Sequence, residues 1–111
     1  MKMADVQPYL QKIVDQFSKP QVQTSLKGFT RVILFRFTDT REDWLIHTVD
    51  GKGASLEKST VSNPDLVVTT TTEVLTGVMD RRINAMAAYM GRRIQVKGPM
   101  EDLMRLQKLL F

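Results

Sequence analysis

Two segments rich in β-branched and aromatic residues precede an Asp50-Gly51 turn, and this arrangement limits the fold more than any other feature. Asp and Gly both tolerate the positive φ angles of the tight turns that join antiparallel strands. The segment before the turn, residues 43–49, contains Trp-Leu-Ile, and another strand-like segment covers residues 30–37. With a strand at residues 54–58 after the turn, the sequence predicts a three-stranded antiparallel meander.

The remaining predicted elements mix helices and strands. Apolar residues at i, i+3, i+4 and i+7 predict an amphipathic helix over residues 3–18, followed by a loop at Pro20 and Gly28. After the meander we expect a strand at 66–70, a helix at 72–80 opened by a capping box from Thr70 to Glu73, a helix at 83–90 closed by Gly91, a strand at 93–97 and a helix from Pro99. This order indicates an α+β fold in a single domain, residues 1–111.

The composition removes most catalytic chemistry. The chain has no cysteine and one histidine, His47, which excludes disulfides, thiolate metal sites and two-histidine sites. No nucleophile–base pattern and no glycine-rich phosphate loop accompany that histidine. We therefore predict a protein that is not an enzyme, with no catalytic residues, no bound metal and no cofactor.

Location and nucleic-acid binding can also be addressed from the sequence. No apolar stretch approaches the roughly 20 residues that span a bilayer, and residues 1–5 lack the apolar segment of a signal peptide. The C-terminal Leu-Leu-Phe is not a peroxisomal address. The basic region contains one aromatic residue, Tyr89, and no aromatic RNA-binding motif, so we expect no nucleic-acid partner. A cytoplasmic location is the simplest expectation.

Five of the seven methionines lie in the last third of the chain. Met86 and Met90 are four residues apart, as are Met100 and Met104, so each pair shares one face of a helix. Methionine is flexible and polarizable, which suits a cavity for apolar ligands of imprecise shape. The same property lets methionine fill gaps in an ordinary core, so the residues alone leave both interpretations open.

The same region is strongly basic. Between residues 81 and 100 there is no acidic residue, and the basic ones are Arg81, Arg82, Arg92, Arg93 and Lys97. The four arginines are candidates for contact with a carboxylate, a phosphate or an anionic membrane. A solvated surface is the more common origin of such a charge run.

Several local patterns occur along the chain in a characteristic order. They are Trp44-Leu45-Ile46, the turn Gly51, Pro64-Asp65 before an aliphatic strand, Glu73 near a helix start, then Asn84, Ala88, Tyr89, Ile94, Val96 and Gly98, and finally Met104-Arg105-Leu106-Gln107. In this order the chain from about Gly28 onward resembles the sterol-carrier-protein lipid-binding domain family. One departure is that Arg92 stands where the family usually has glycine, which bears on the shape of the cavity rim.

The resemblance implies a five-stranded mixed sheet covered on one face by helices, with an apolar tunnel between the layers. It also implies binding or transfer of a lipid (a fatty acid, an acyl-CoA, a quinone or a sterol-like molecule) without chemical change. Combined with the methionine pattern, it gives as candidate lipid-binding residues Met79, Ile83, Met86, Tyr89, Met90, Leu103, Met104, Leu106 and Leu110. Arg81, Arg82, Arg92 and Arg93 are candidates for contact with the headgroup or a membrane.

The apolar C-terminus supports an alternative from a different class. Leu109-Leu110-Phe111 could extend an exposed apolar patch that pairs with a second subunit or docks on an enzyme. The chain would then be an interaction or dimerisation module assisting a lipid-metabolising enzyme, and a homodimer is left open.

Overall fold

The strand-like segments of the sequence form one sheet. The computed structural model describes residues 6–25, 27–50, 52–102 and 104–105. Its strands are β1 (Val32–Phe37), β2 (Glu42–Val49), β3 (Lys52–Glu57), β4 (Leu66–Thr70) and β5 (Gln95–Lys97). They lie in the order β3-β2-β1-β4-β5, so the α+β class and the five-stranded mixed sheet are confirmed.

The predicted meander is present. β2 pairs antiparallel with both β1 and β3. Asp50 has a φ of 53° between β2 and β3, the positive angle expected at the turn, whereas Gly51 lies outside the described residues. β4 then lies parallel to β1, with Ile33 opposite Leu66 and Phe37 opposite Thr70. β5 closes the sheet antiparallel to β4.

The helices differ in detail from the prediction. They are α1 (Gln7–Gln16), α2 (Pro20–Ser25), α3 (Thr72–Met79) and α4 (Ala85–Met90), and residues 100–102 and 104–105 are also helical. The prediction of a loop at Pro20 was wrong because proline is favoured in the first turn of a helix, where its missing N–H is not needed. Pro20 begins α2 instead of only ending the helix before it.

The apolar core lies between one face of the sheet and the helices. Ile33, Phe35 and Phe37 alternate along β1 and therefore share a face, where they cluster with buried residues of three helices. The helical members are Leu10, Ile13 and Val14 of α1, Val74, Leu75 and Val78 of α3, and Ala88 of α4. Phe17, Phe29 and Phe37 keep no accessible surface, so side chains fill this part of the interlayer space. A tunnel stays a prediction about the space outside this aromatic cluster.

The start of α3 corrects the predicted capping box. The N-cap is Thr71, whose hydroxyl accepts from the Val74 N–H at 3.1 Å, and not Thr70. Thr70 still belongs to β4, where strand pairing with Phe37 fixes its backbone. The strand therefore continues one residue further than the capping-box spacing suggested.

Candidate functional site

Helix α4 ends in a turn that normally uses glycine. The Arg92 N–H donates to the Tyr89 carbonyl at 3.1 Å, and the Arg93 N–H donates to the Ala88 carbonyl at 2.8 Å. This pair of bonds is a Schellman motif, which requires a left-handed residue just after the helix. Arg92 is that residue, with a φ of 61°, while the preceding Gly91 has a φ of −81°.

Helix α3 ends in the same way. The Arg81 N–H donates to the Val78 carbonyl at 3.1 Å, and the Arg82 N–H donates to the Gly77 carbonyl at 2.8 Å. Arg81 has a φ of 63°. Two consecutive helices thus present an arginine in the left-handed conformation at equivalent positions, which makes Arg81 and Arg92 a natural matched pair.

The orientation of α4 exposes its methionines. Asn84 caps the helix by accepting from the Ala87 N–H at 2.9 Å, and the small Ala88 is buried against the core. Met86, Tyr89 and Met90 consequently keep 50%, 52% and 76% of their surface exposed. Because exposed apolar side chains grouped on one helix are unusual in a monomer, this face is a candidate contact surface.

The other candidate lipid-binding residues are distributed between the core, the surface and the undescribed part of the chain. Met79 and Ile83 are half-buried and pack against the core. Met104 is 56% exposed at the start of the last helix. Leu103, Leu106 and Leu110 lie outside the described residues. A lipid-lining role for the whole set stays a prediction.

A tight contact holds the segment between α3 and α4. Gly77 on α3 leaves room for Ile83, since a β-carbon at position 77 would lie 2.5 Å from Ile83 Cδ1 and 2.8 Å from Ile83 Cγ1. Substitution of Gly77 would therefore displace the half-buried Ile83.

The four candidate arginines are all exposed. Arg82 pairs with Asp80 at 3.5 Å, and the same carboxylate accepts from the Tyr9 hydroxyl at 2.7 Å. That hydrogen bond raises the pKa of Tyr9 above its ordinary value. Within the described part of the chain, the guanidinium groups of Arg81, Arg92 and Arg93 have no hydrogen-bond or ion-pair partner.

A cleft of about 380 Å³ is lined by two of the four candidate arginines. It lies at the carboxyl ends of the parallel strands β1 and β4, beside the start of α3. Arg92 and Arg93 both line it, and neither Arg81 nor Arg82 does. The other lining residues are Thr38, Thr69, Thr70, Thr71, Glu73, Val74 and Gln95.

Tertiary hydrogen bonds fix the walls of this cleft. The Thr70 hydroxyl donates to the Arg93 carbonyl at 2.9 Å, which ties the loop before β5 to the end of β4. Next to it, the Asp39 carboxylate accepts from the Thr72 N–H at 3.1 Å and from the Thr72 hydroxyl. Partial burial raises the pKa of Asp39, but these hydrogen bonds outweigh that effect and lower it below its ordinary value.

Sequence reasoning missed most of the residues that line the cleft. The run of threonines from Thr69 to Thr72 falls at the end of the predicted strand 66–70 and the start of the predicted helix 72–80, and it is given no other role there. Its one available signal was the number of hydroxyls close to a strand end, where loops of parallel strands often form binding sites. Thr38 carried no signal, because only the fold brings it beside the arginines, and Gln95 lies beside Thr69 only through the pairing of β4 with β5.

Other chemistry finds little support in the part of the chain that the structure covers. No three acidic or histidine side chains there come together in a way that could hold a metal ion. His47 lies on β2 with its Nε2 3.6 Å from Glu57 Oε2, an exposed pair without a nucleophile. None of the described helices has the length and apolar character needed to cross a bilayer.

Most of the chain matches a known protein family. The model of the SCP-2 sterol transfer family matches residues 10–111. The chain belongs to the SCP-2 sterol transfer family. The resemblance noted from the residues is therefore confirmed, and the match to the SCP-2 family also includes most of α1. A search of curated proteins finds no match.

Solved structures share this SCP-2 fold at low sequence identity. Palmitated SCP2L2 from Aedes aegypti superposes with a TM-score of 0.74 at 15% identity, covering 96% of this chain and 95% of that one. The sterol carrier protein domain 2 of Helicoverpa armigera superposes with a TM-score of 0.71 at 18% identity, covering 99% and 92%. Identities this low establish the shared fold alone.

One similar structure belongs to a much larger protein. A double mutant of the sec-alkyl sulfatase PisA1, an enzyme from Pseudomonas sp., superposes with a TM-score of 0.77 at 15% identity. The match covers 96% of this chain but only 16% of the sulfatase chain. The SCP-2 fold of this chain thus spans about a sixth of that enzyme.

Proposed function

We propose that the protein binds a lipid in an apolar tunnel between its sheet and its helices and carries it without chemical change. The family match over residues 10–111 is the observation that carries this proposal. The palmitate of the Aedes aegypti neighbour supports a fatty acid as one ligand, beside an acyl-CoA, a quinone or a sterol-like molecule. A cytoplasmic location is part of the same proposal.

The proposed lipid site combines core-facing and exposed apolar side chains. Met79 and Ile83 would contact the lipid from the core side, and the exposed Met86, Tyr89, Met90 and Met104 would contact it from the surface side. Leu103, Leu106 and Leu110 would complete the lining. Of the four arginines, Arg81, Arg82, Arg92 and Arg93, some would face the lipid headgroup and the others an anionic membrane.

The energetics of burial allow such a complex. Each buried methylene is worth about 0.8 kcal/mol, so an acyl chain of about 15 methylenes gains roughly 12 kcal/mol. Lost translational and rotational freedom removes several kcal/mol of this gain. The remainder corresponds to dissociation constants between about micromolar and nanomolar.

Mass spectrometry of an organic extract of the natively purified protein tests the proposal, with a mock purification as background. We expect a lipid in stoichiometric amount, and binding of a fluorescent fatty acid by the delipidated protein. Met86→Asp should abolish that binding because a carboxylate would then have to be buried against the acyl chain. Val61→Asp is the matched control, since Val61 is also exposed but lies in the loop between β3 and β4.

Two results would count against a lipid tunnel. One is a clean extract from a protein that also fails to bind the fluorescent fatty acid. The other is equal binding by folded Met86→Asp and Val61→Asp variants.

Brief contact with anionic membranes would fit the transfer of a lipid. Each basic residue near an anionic surface contributes about 1 kcal/mol, and exposed methionines beside arginines could insert between headgroups. Sedimentation with vesicles containing phosphatidylserine should exceed sedimentation with neutral vesicles, and the difference should vanish in high salt. Equal sedimentation with both vesicle types would remove membrane contact from the proposal.

A second candidate function is an interaction or dimerisation module assisting a lipid-metabolising enzyme. The likeness to part of a sec-alkyl sulfatase chain and the exposed methionines of α4 favour it. Light scattering separates the two functions, because removal of Phe111 should lower the mass of a dimer that pairs through the C-terminus. A monomer mass for both the parent chain and the variant without Phe111 would argue against homodimerisation.

A further inference from the structure

We propose that the cleft between β1, β4 and the loop before β5 binds an oxyanion, a carboxylate or a phosphate, through Arg92 and Arg93. This inference deepens the proposed lipid binding, because it assigns the headgroup contact to two of the four candidate arginines. The oxyanion site does not depend on the lipid tunnel, since the cleft can hold an oxyanion that carries no apolar tail.

The residues that line the cleft carry several hydrogen-bond donors. Among its lining residues, Arg92 and Arg93 carry guanidinium groups, Thr38 and Thr69 carry hydroxyls, and Gln95 carries an amide. Among the described residues, none of these five side chains has a hydrogen-bond partner. Guanidinium groups and hydroxyls are donors that suit the oxygen atoms of carboxylates and phosphates.

The start of α3 lies beside the cleft. Two of the first three N–H groups of α3 are already bonded, since the Thr72 N–H donates to Asp39 and the Val74 N–H donates to Thr71. The cleft therefore differs from an anion site built on a free helix terminus. Its positive potential comes from the two arginine side chains.

The backbone of Arg92 has a conformation that is unusual for arginine. The left-handed conformation at its φ of 61° favours glycine, and an arginine there gains nothing for the turn itself. Arg81 occupies the same position after α3 but does not line the cleft. The pair thus separates the backbone effect of such an arginine from the effect of its charge inside the cleft.

One residue opposes the anion. The Glu73 carboxylate also lines the cleft, and no described residue pairs with it. With Arg92 and Arg93 the lining carries two positive charges and one negative charge, so it stays net positive. Neutralising Glu73 should consequently strengthen the binding of an anion, whereas neutralising an unrelated surface carboxylate should not.

Titration of the full chain with inorganic phosphate, followed by backbone NMR shifts, tests the site. We expect saturable shifts at Thr38, Thr69, Arg93 and Gln95. Arg92→Gly should weaken binding about tenfold or more, the usual effect of losing a charge-assisted hydrogen bond. Arg81→Gly is the matched control, with the same charge loss and the same backbone conformation, and should bind as the parent does. Glu73→Gln should bind roughly twofold to fivefold more tightly.

Three outcomes would overturn the proposal. They are unsaturable shifts in the parent chain, equal weakening by Arg81→Gly and Arg92→Gly, and no gain in the Glu73→Gln variant. Both glycine variants suit the turn they occupy, so failure to fold is not expected to obscure the result.

A second arm identifies the source of the anion. Dodecyl phosphate is compared with inorganic phosphate in the same chain and in Met86→Asp. Tighter binding of dodecyl phosphate that Met86→Asp reduces to the level of inorganic phosphate assigns the cleft to a lipid headgroup. Equal binding of both probes assigns it to a soluble phosphate or carboxylate and would overturn the headgroup role. In that case oxyanion binding in the cleft would hold even if the proposed lipid binding were wrong.

Discussion

Two of the arginines at positive φ, Arg81 and Arg92, each follow the end of a helix, where the backbone favours glycine. A left-handed conformation costs an L-residue about 1 kcal/mol or more, because the β-carbon approaches the following carbonyl. Arg81 and Arg92 both accept this cost at the ends of α3 and α4, where glycine is the common residue. Their side chains are exposed, so packing does not compensate for it.

We therefore expect Arg81→Gly and Arg92→Gly to raise the free energy of unfolding by up to about 1 kcal/mol each. Glycine relieves the conformational strain, and part of this gain is lost because glycine is more flexible in the unfolded chain. Chemical denaturation measures both values. A loss of stability in either variant would show that its arginine makes a stabilising contact. The expected result for Arg92→Gly is higher stability together with weaker anion binding.

At the scale of elements, Asp39 joins two parts of the fold that are distant in sequence. It lies in the turn between β1 and β2, and its carboxylate accepts from the N–H and the hydroxyl of Thr72, 33 residues further along. The link fixes the start of α3 against the sheet edge that forms the cleft. Since the pKa of Asp39 is lowered in the folded protein, its ionised form stabilises the fold.

Acid should remove this contribution. A carboxyl with a lowered folded pKa adds stability above its unfolded pKa, here near the ordinary value of 3.8, and loses it as the pH falls through the folded pKa. We expect the free energy of unfolding to fall below about pH 4 more steeply in the parent than in Asp39→Asn. Denaturation curves between pH 2 and 7 measure this, with the exposed Asp15→Asn as control. Identical acid slopes in parent and Asp39→Asn would refute the role of this carboxylate.

A second link holds the start of the last helix. Asp102 Oδ2 lies 2.7 Å from Arg31 Nε, and the Asp102 side chain is 4% exposed against 34% for Arg31. The Arg31 guanidinium also lies 5.4 Å from the centre of the Phe29 ring. The pair connects residues 71 positions apart and ties the helical residues 100–102 to the beginning of β1.

Arg31→Met should lower the free energy of unfolding by about 2–3 kcal/mol, because it leaves the Asp102 carboxylate buried without its partner. Arg36→Met on β1 is the matched control, since Arg36 pairs with Asp43 at the surface at 3.2 Å. An exposed pair of this kind contributes about 1 kcal/mol or less. Equal losses in the two variants would contradict the special position of the Arg31–Asp102 pair.

At the scale of the whole molecule, lipid binding and stability are coupled. A ligand that binds only the folded state raises the unfolding free energy by about 2.7 kcal/mol at a free concentration of 100 times its Kd. We expect a long-chain fatty acid, below its critical micelle concentration, to raise the melting temperature of the delipidated chain. Met86→Asp should show no such rise, and Val61→Asp should show the full rise. Scanning calorimetry provides the measurement, and an unchanged melting temperature in the parent would speak against binding.

The predictability of the candidate site followed the range of the interactions that build it. Arg92 and Arg93 stood out as a charge run, which is visible in the sequence. Thr38 and Gln95 became part of the cleft only because β1, β4 and β5 are neighbours. The Schellman turns were predicted only as a Gly91 cap, since arginine in a left-handed position is rare enough for propensity to disfavour it.

The sequence by itself determined the strands, most helices, the α+β class and the family. Alternation, β-branched content and the Asp50 turn are local properties that act before the chain is folded. Only the packed fold makes β4 lie parallel to β1. It also makes Thr71 rather than Thr70 the N-cap of α3, with Asp39 accepting from the Thr72 N–H. On α4, it turns Ala88 toward the core and leaves Met86 and Met90 facing outward. Each of these depends on contacts between residues far apart in the chain, whose free energy exists only once the layers have packed together.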